Sequence, residues 1–406
     1  MNRKKTYKSV ILGLLLAFSA IVIVNNLDEV AATNRYVGGG GTPNYATITQ
    51  ALAASSSGDI IYVNSALSYS ENVNVNVDVT IEATGGMATI TPQTGNPIFT
   101  ISVTGVTIKN FNINGQNQAG VDGIYSSTTG GEEGQEVLIE NCNIYNCVNG
   151  VQFGTPAINT AYHTVTDCNI YDNSNDGVLI YAVNAGNHQI ELSSIYNNGN
   201  HGIEINGDDN TVYGCNIYTN TNDGIHIFGD TNTVTGDDDG SDDTYIYSNG
   251  DDGIDIDGDD NSVIEDCFIH NNTDEGINLY DSHSAYMDEC EIVFNGGNGI
   301  YMEFCDDYDI SDSYFTWNSD DAIKLKYCDN DPEDANVPNI INCDFGEGYT
   351  AIHFLTCQFG STGYEVDSCN FYDRSIAIKV EGSSDVDIYS GKIEDCTYGI
   401  YAIYDS

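Results

Sequence analysis

Asn222-Asp223-Gly224-Ile225-His226-Ile227-Phe228, Asp251-Asp252-Gly253-Ile254-Asp255-Ile256-Asp257 and Asp274-Glu275-Gly276-Ile277-Asn278-Leu279-Tyr280 are three copies of one phrase. A small residue opens each copy, and apolar and polar side chains then alternate with the period of two that a half-buried strand requires. The isoleucines therefore face inward, and His226, Asp255 and Asp257 outward. The opening residue recurs at Gly123, Gly150, Gly177, Gly202, Gly224, Gly253, Gly276, Gly299, Ala322, Ala351, Ala377 and Gly399, in steps of 22 to 29 residues. A period in the twenties is one coil of a three-sided solenoid, and the longest steps mark loops inserted into single coils.

A second phrase runs in phase with the first: Cys142-Asn143-Ile144-Tyr145, Cys168-Asn169-Ile170-Tyr171, Cys215-Asn216-Ile217-Tyr218 and Cys267-Phe268-Ile269-His270. Three residues beyond its core Ile or Phe stand Asn173, Asn198, Asn220, Asn249, Asn272, Asn295 and Asn318, coil after coil. Such a column predicts a ladder of side-chain amides that satisfies turn backbone groups otherwise buried unpaired. The cysteines fall in columns too. Cys142, Cys168, Cys215, Cys267, Cys290, Cys343 and Cys369 sit two residues before a core Ile or Phe, and Cys305, Cys328 and Cys357 six residues after the opening small residue. Inward stacks of free thiols explain this spacing better than disulfides or zinc sites.

Residues 1–32 read as an export signal. Arg3, Lys4, Lys5 and Lys8 precede an uncharged run from Val10 to Val24, too short for a bilayer span, and Val30-Ala31-Ala32 offers a cleavage site. An uncleaved N-terminal anchor is the alternative. The expectation is a secreted or cell-surface protein, not inserted in a membrane after cleavage. The chain carries 11 basic and 61 acidic residues, a formal net charge of −50. Such a surface repels nucleic acid and anionic lipid, and repels acidic polysaccharide unless a basic patch or bridging cation intervenes.

Tyr45 to Ala53 has helix-forming composition and an apolar stripe, and Gly58-Asp59-Ile60-Ile61-Tyr62-Val63 opens a strand. Residues 33–65 are thus expected to cap the solenoid with a short helix and a first strand, and residues 66–406 to form the coils. Gly399-Ile400-Tyr401-Ala402-Ile403-Tyr404 carries no polar cap, which leaves truncation, fraying or end-to-end self-association as the expectations for that end.

With Tyr69-Ser70-Glu71-Asn72-Val73 and the recurring Asn222-Asp223-Gly224-Ile225 pattern, these segments resemble the pectin-lyase-like superfamily over nearly all of residues 36–404. The resemblance implies an all-β, right-handed parallel β-helix of about a dozen or more coils. It is weak for function, because the superfamily spans pectate lyases, polygalacturonases, alginate-modifying enzymes, maturation proteins of the NosD type and non-catalytic surface proteins.

Several sites follow. The outward residues of the Gly-Ile strand make one strip, from which His226, Asp255, Asn278, Tyr280, Tyr301, Lys324, Lys326 and His353 are expected to line a groove for an extended carbohydrate or cell-envelope polymer. A solvated face of mixed polarity is the plainer reading. Asp223, followed one coil later by Asp251-Asp252, is similar to the aspartates of polygalacturonases, which implies a general acid and water-activating carboxylates. Asp274-Glu275-Gly276 departs from that family's Gly-His-Gly, and its Arg-Ile-Lys is missing. A lyase would need Lys324 as base beside calcium held by Asp255, Asp257, Glu275 and Asp321, yet Asp255 and Lys324 are three coils apart, about 14 Å. Calcium is expected at the acidic turns, with Asp237, Asp239, Asp243, Asp255, Asp257 and Asp259 as hard-oxygen ligands. Tyr145, Tyr171, Tyr196, Tyr218 and Tyr247 form an outward column that either binds a glycan face-on or stabilises the sheet by stacking. Three functions stay open: a glycan-binding protein, a polysaccharide lyase or polygalacturonase-like hydrolase, and a non-catalytic structural or adhesive surface protein.

Overall fold

The computed structural model describes residues 32–128, 136–158, 160, 162–182, 186–237, 241–257, 262–328, 339–358, 363–383 and 386–403. The expected export signal, apart from Ala32, and the expected calcium ligands Asp239 and Asp259 lie outside them. The described strands form three parallel sheets, one of 16 strands and two of 14. Each coil contributes one strand to each sheet in turn, as Ile225–Phe228, Thr233–Thr235 and Thr244–Tyr247 do before Ile254–Asp257 begins the next coil. We call the sheet that contains Ile225–Phe228 and Ile254–Asp257 the strip sheet. Parallel strands joined by crossovers wind right-handedly, so the chain is a right-handed β-helix.

Short strands suffice because each one inside a sheet is paired on both sides and buries every second residue. In the strip sheet the inward line Ile203, Ile225, Ile254, Ile277, Ile300 and Ile323 runs in direct register with no exposed surface. Removing such a side chain costs about 2–5 kcal/mol.

The asparagine ladder is present. The Asn220 amide nitrogen donates to Asn249 Oδ1 at 3.1 Å, and Asn249 to Asn272 Oδ1 at 3.0 Å. Each Oδ1 also accepts the backbone N–H of the ladder residue one coil earlier, and each Nδ2 reaches a core carbonyl such as Ile217 O. The run is unbroken from Asn173 to Asn318. A second ladder, at the turn between the strip sheet and the 16-stranded sheet, escaped the sequence reading. There His163, His188, Asn210 and Asn232 succeed one another, and the Nδ1 of each imidazole accepts the backbone N–H that an amide oxygen accepts further along.

All twelve cysteines are free and eleven are buried, as stacked thiols require. Their Sγ atoms donate to nearby carbonyls, for example Cys290 to Asp288 O at 3.3 Å. Ser193, Thr244 and Ser313 occupy the same column and accept the preceding coil's cysteine N–H through their hydroxyls. The position thus wants a small side chain able to hydrogen bond.

The cap helix α1 spans Ile48–Ala53, three residues shorter at its start than expected, because the Thr47 side chain caps it by accepting the Gln50 N–H. Its first N–H groups, at Ile48 and Thr49, donate to the Glu71 carboxylate at 2.9 and 3.0 Å, which suits the positive end of a helix. At the other end Ile388, Ile393, Tyr398 and Ile400 stay exposed.

Candidate functional site

Period-two alternation leaves one outward side chain per coil in a continuous register along the strip sheet: Asn74, Thr100, Tyr125, Gln152, Leu179, Glu204, His226, Asp255, Asn278, Tyr301, Lys324, His353 and Lys379. Neighbours are about 4.8 Å apart. Three zones follow one another. At the cap end Asn72, Asn74, Asn96, Thr100, Tyr125 and Gln152 line a shallow cavity of about 540 Å³. The middle is carboxylate and imidazole. Towards the last coils come Tyr280, Tyr301, Lys324 and Lys326.

The middle zone is organised by the residue preceding each opening small residue. Asp223 Oδ1 accepts the Asp252 N–H at 3.0 Å, and Asp252 Oδ1 accepts the Glu275 N–H at 2.8 Å. Asp176 and Asn298 do the same for His201 and Asp321. Each side chain is clamped by the next coil, which fixes the direction of its second polar atom. Asp223 uses that atom on His201, with Oδ2 3.0 Å from Nδ1. Asp223, Asp251 and Asp252 come together, with one oxygen of each within 4.8 Å of the others.

Burial sets the electrostatics. It pushes Asp252 up to about 9, helped by Glu275, Asp223 and Asp255, and Asp255 up to about 7, helped by Asp223 and Asp257. Glu275 rises to about 7 and Asp176 to about 6, again through burial first. Burial also holds the His226 imidazole below its usual value, and nearby His201 adds to this. Burial pulls His201 the same way, but its contact with Asp223 outweighs this and raises it. A protonated Asp252 therefore stands beside a carboxylate already paired with imidazole.

In the basic zone Lys326 pairs with Glu303 at 2.8 Å and Lys379 with Glu381 at 2.7 Å. Lys324 makes no ion pair among the described residues and lies over the Tyr301 ring, 5.8 Å from its centroid. Tyr280 is well exposed, and the Tyr301 hydroxyl donates to Glu303 at 2.7 Å. His353 is less available than its outward position implies: it is buried, with Nδ1 2.7 Å from Asp321. Lys324 stands three strands from Asp255 and Asp257, so these acids are not beside it, whereas Asp321 is close enough to feel its charge and is held by His353.

Of the expected calcium ligands, Asp255 and Asp257 gather around His226, whereas Asp237 and Asp243 bond instead to Ser241 and Tyr245. The tyrosine column from Tyr145 to Tyr247 stacks at 4.8–5.1 Å with rings within 5° of parallel, and His270 extends it. The faces of the inner rings are covered by their neighbours, which favours sheet stabilisation over face-on sugar binding. His201, Asp176, the amide-lined cavity and Leu179 were missed by the sequence reading. The column immediately before each small residue, written Asp176, His201, Asp223, Asp252, Glu275, would have exposed the clamp.

Fold and strip together define a β-solenoid with one long, chemically graded face. The chain belongs to the right-handed beta helix region family, whose model matches residues 96–240, 157–303, 238–330 and 298–406. Among solved structures it resembles a periplasmic alginate epimerase at 10% identity and TM-score 0.53, covering 83% of this chain and 77% of that one. It also resembles the catalytic domain of a GH87 alpha-1,3-glucanase in complex with tetrasaccharides, at 10% identity and TM-score 0.50, covering 93% and 70%. A third is the A-module of an Azotobacter vinelandii mannuronan C-5 epimerase, at 13% identity and TM-score 0.48, covering 87% and 94%. No curated protein matches the chain. At these identities the likeness concerns the fold.

Proposed function

We propose that the protein is an exported β-helix that binds an extended, mainly neutral glycan along the strip sheet. The observation that carries this reading is the unbroken in-register line from Asn74 to Lys379, which offers amides, hydroxyls, aromatic rings and one unpaired lysine at the spacing of the coils. Amides and tyrosines suit sugar hydroxyls and ring faces, whereas the acidic middle zone disfavours a densely charged uronate polymer. The alginate epimerase and the glucanase of similar fold are named for polysaccharide chemistry, which agrees with a glycan partner.

Affinity electrophoresis through gels containing neutral and uronic-acid glycans tests the proposal. Retardation by at least one neutral polymer is expected, weakened by Tyr301→Ala and Tyr125→Ala. Unretarded migration through every polymer, or retardation of both variants equal to that of the wild type, would overturn it.

The contact of Asp223, Asp251 and protonated Asp252 supports a second reading, an aspartate-based hydrolase acting on the bound glycan. New reducing ends from a retained polymer, absent with Asp252→Asn, would establish it. Retention without turnover would leave the binding function alone.

A further inference from the structure

We propose that His226, Asp255 and Asp257 form a site for one divalent cation of the zinc class, with open coordination positions towards the outward face. This inference does not depend on glycan binding.

Register places the three residues together. His226 lies directly beside Asp255 on the neighbouring strand, and Asp257, two residues on, points to the same side. His226 Nε2 stands 3.4 Å from Asp255 Oδ2 and 3.8 Å from Asp257 Oδ2. One ligand atom from each of the three lies within 4.8 Å of the others. Both ring nitrogens of His226 are shut from solvent and make no hydrogen bond, although imidazole nitrogens in such a position normally find a partner.

The separations discriminate between two explanations. A hydrogen bond from imidazole to carboxylate would bring the atoms to about 2.7–3.2 Å. Two ligands on a tetrahedral ion, each about 2.0–2.2 Å from the metal, stand roughly 3.3 Å apart. The His226–Asp255 distance matches the second value, and Asp257 needs only a small side-chain movement to join. Phe228 packs edge-on against the imidazole at 4.3 Å between centroids, and His201 lies 4.6 Å away on the other coil, so the ring is held on two sides.

Ligand chemistry then selects the ion. Calcium takes six to eight oxygen ligands, and magnesium keeps most of its waters. One imidazole with two carboxylates suits zinc, cobalt or manganese instead. A dication also cancels the charge of two carboxylates crowded in a partly desolvated zone. Three protein ligands leave at least one position for water or another ligand, as in open zinc sites.

The test uses the full chain, with thiols kept reduced, titrated with Co²⁺ in buffer containing millimolar Ca²⁺ and Mg²⁺. The expected result is one Co²⁺ per chain, with visible bands of nitrogen and oxygen coordination, no thiolate charge-transfer band, and displacement by equimolar Zn²⁺. His226→Gln and Asp255→Asn are each expected to weaken binding by more than the roughly 10- to 100-fold that loss of an outer-shell partner costs. Circular dichroism checks that the variants fold. If they do not, nitrogen hyperfine coupling from a single imidazole in the Cu²⁺ spectrum of the wild type is the expected alternative signature. Absence of stoichiometric binding, a thiolate band, unchanged affinity in folded His226→Gln, or a Cu²⁺ spectrum without nitrogen coupling would overturn the proposal.

Discussion

Replacing His163 and His188 together by asparagine is expected to remove an acid-sensitive element from the early coils. Both rings are fully buried within the solenoid. The His163 N–H donates to His188 Nδ1 at 3.1 Å, and the Val137 N–H to His163 Nδ1 at 3.4 Å, so neither Nδ1 carries a proton. Burial lowers His163 to about 3 and His188 to about 4, from an ordinary 6.5, and for His163 the neighbouring ring adds to the effect. The unfolded chain takes up protons as pH falls through 6.5, whereas the folded chain refuses them until pH 3–4. Stability is therefore intact above about pH 7 and is lost on acidification. At pH 5 each ring accounts for a loss of about 2 kcal/mol, and the two together about 4 kcal/mol. Asparagine keeps the acceptor, as Asn210 and Asn232 do in the same ladder, and takes no proton. The variant is less stable at neutral pH, because Phe153, 4.8 and 5.2 Å from the two rings between centroids, loses contacts. The informative quantity is the change between pH 7.5 and 5.0, followed by urea denaturation with hydrogen exchange across residues 137–210. The raised carboxylates act in the opposite direction in both proteins and cancel in the comparison. The wild type is expected to lose about 4 kcal/mol more than the variant over this range; parallel losses would refute the reasoning.

Asn249→Ala removes the one oxygen that accepts both the backbone and the amide N–H of Asn220, together with its own amide's bonds to Ile217 O and Asn272 Oδ1, so a loss of about 2–4 kcal/mol is expected in denaturation. Ser319→Ala, at an exposed position just past the ladder residue Asn318, serves as the control and should cost far less. Asp252→Asn removes a carboxyl whose folded pKa, about 9, lies far above its unfolded value of 3.8. Wild-type stability from this group falls as pH rises between those values, so the variant should melt higher at pH 7 and gain further up to about pH 9, whereas a lower melting temperature would contradict the assigned burial penalty. Chelation should lower the melting temperature by several degrees if acidic turns hold calcium, with recovery on added Ca²⁺, and recovery by Zn²⁺ alone would assign the effect to His226, Asp255 and Asp257.

Much of the fold was legible because a solenoid writes its geometry in one dimension. Once Gly224, Gly253 and Gly276 are aligned, every residue at a given offset shares a sheet, a side and a neighbour. That is why the asparagine ladder, the thiol columns and the outward line through His226, Asp255 and Lys324 could be placed from spacing alone. The second ladder was equally regular, as His163-Thr164-Val165, Asn210-Thr211-Val212 and Asn232-Thr233-Val234 show. It stayed hidden because imidazole and amide are different residue types that perform one hydrogen-bonding task. The site was less legible. Offsets specify which side chains are adjacent, but the clamp of Asp223 by the Asp252 N–H and the withdrawal of His353 onto Asp321 depend on rotamers. Much of the amide-lined cavity, Asn72, Asn74, Asn96 and Thr100, lay in early coils whose strands lack the opening glycine phrase that precedes Tyr125 and Gln152.

The most direct test of the glycan-binding face is hydroxyl-radical footprinting of the protein with retained oligosaccharides of increasing length. Protection of Tyr125, Tyr280 and Tyr301 is expected, reaching more of these residues as the ligand lengthens. Protection confined to the stacked tyrosines from Tyr145 to Tyr247, or no protection at all, would contradict a glycan lying along the strip sheet.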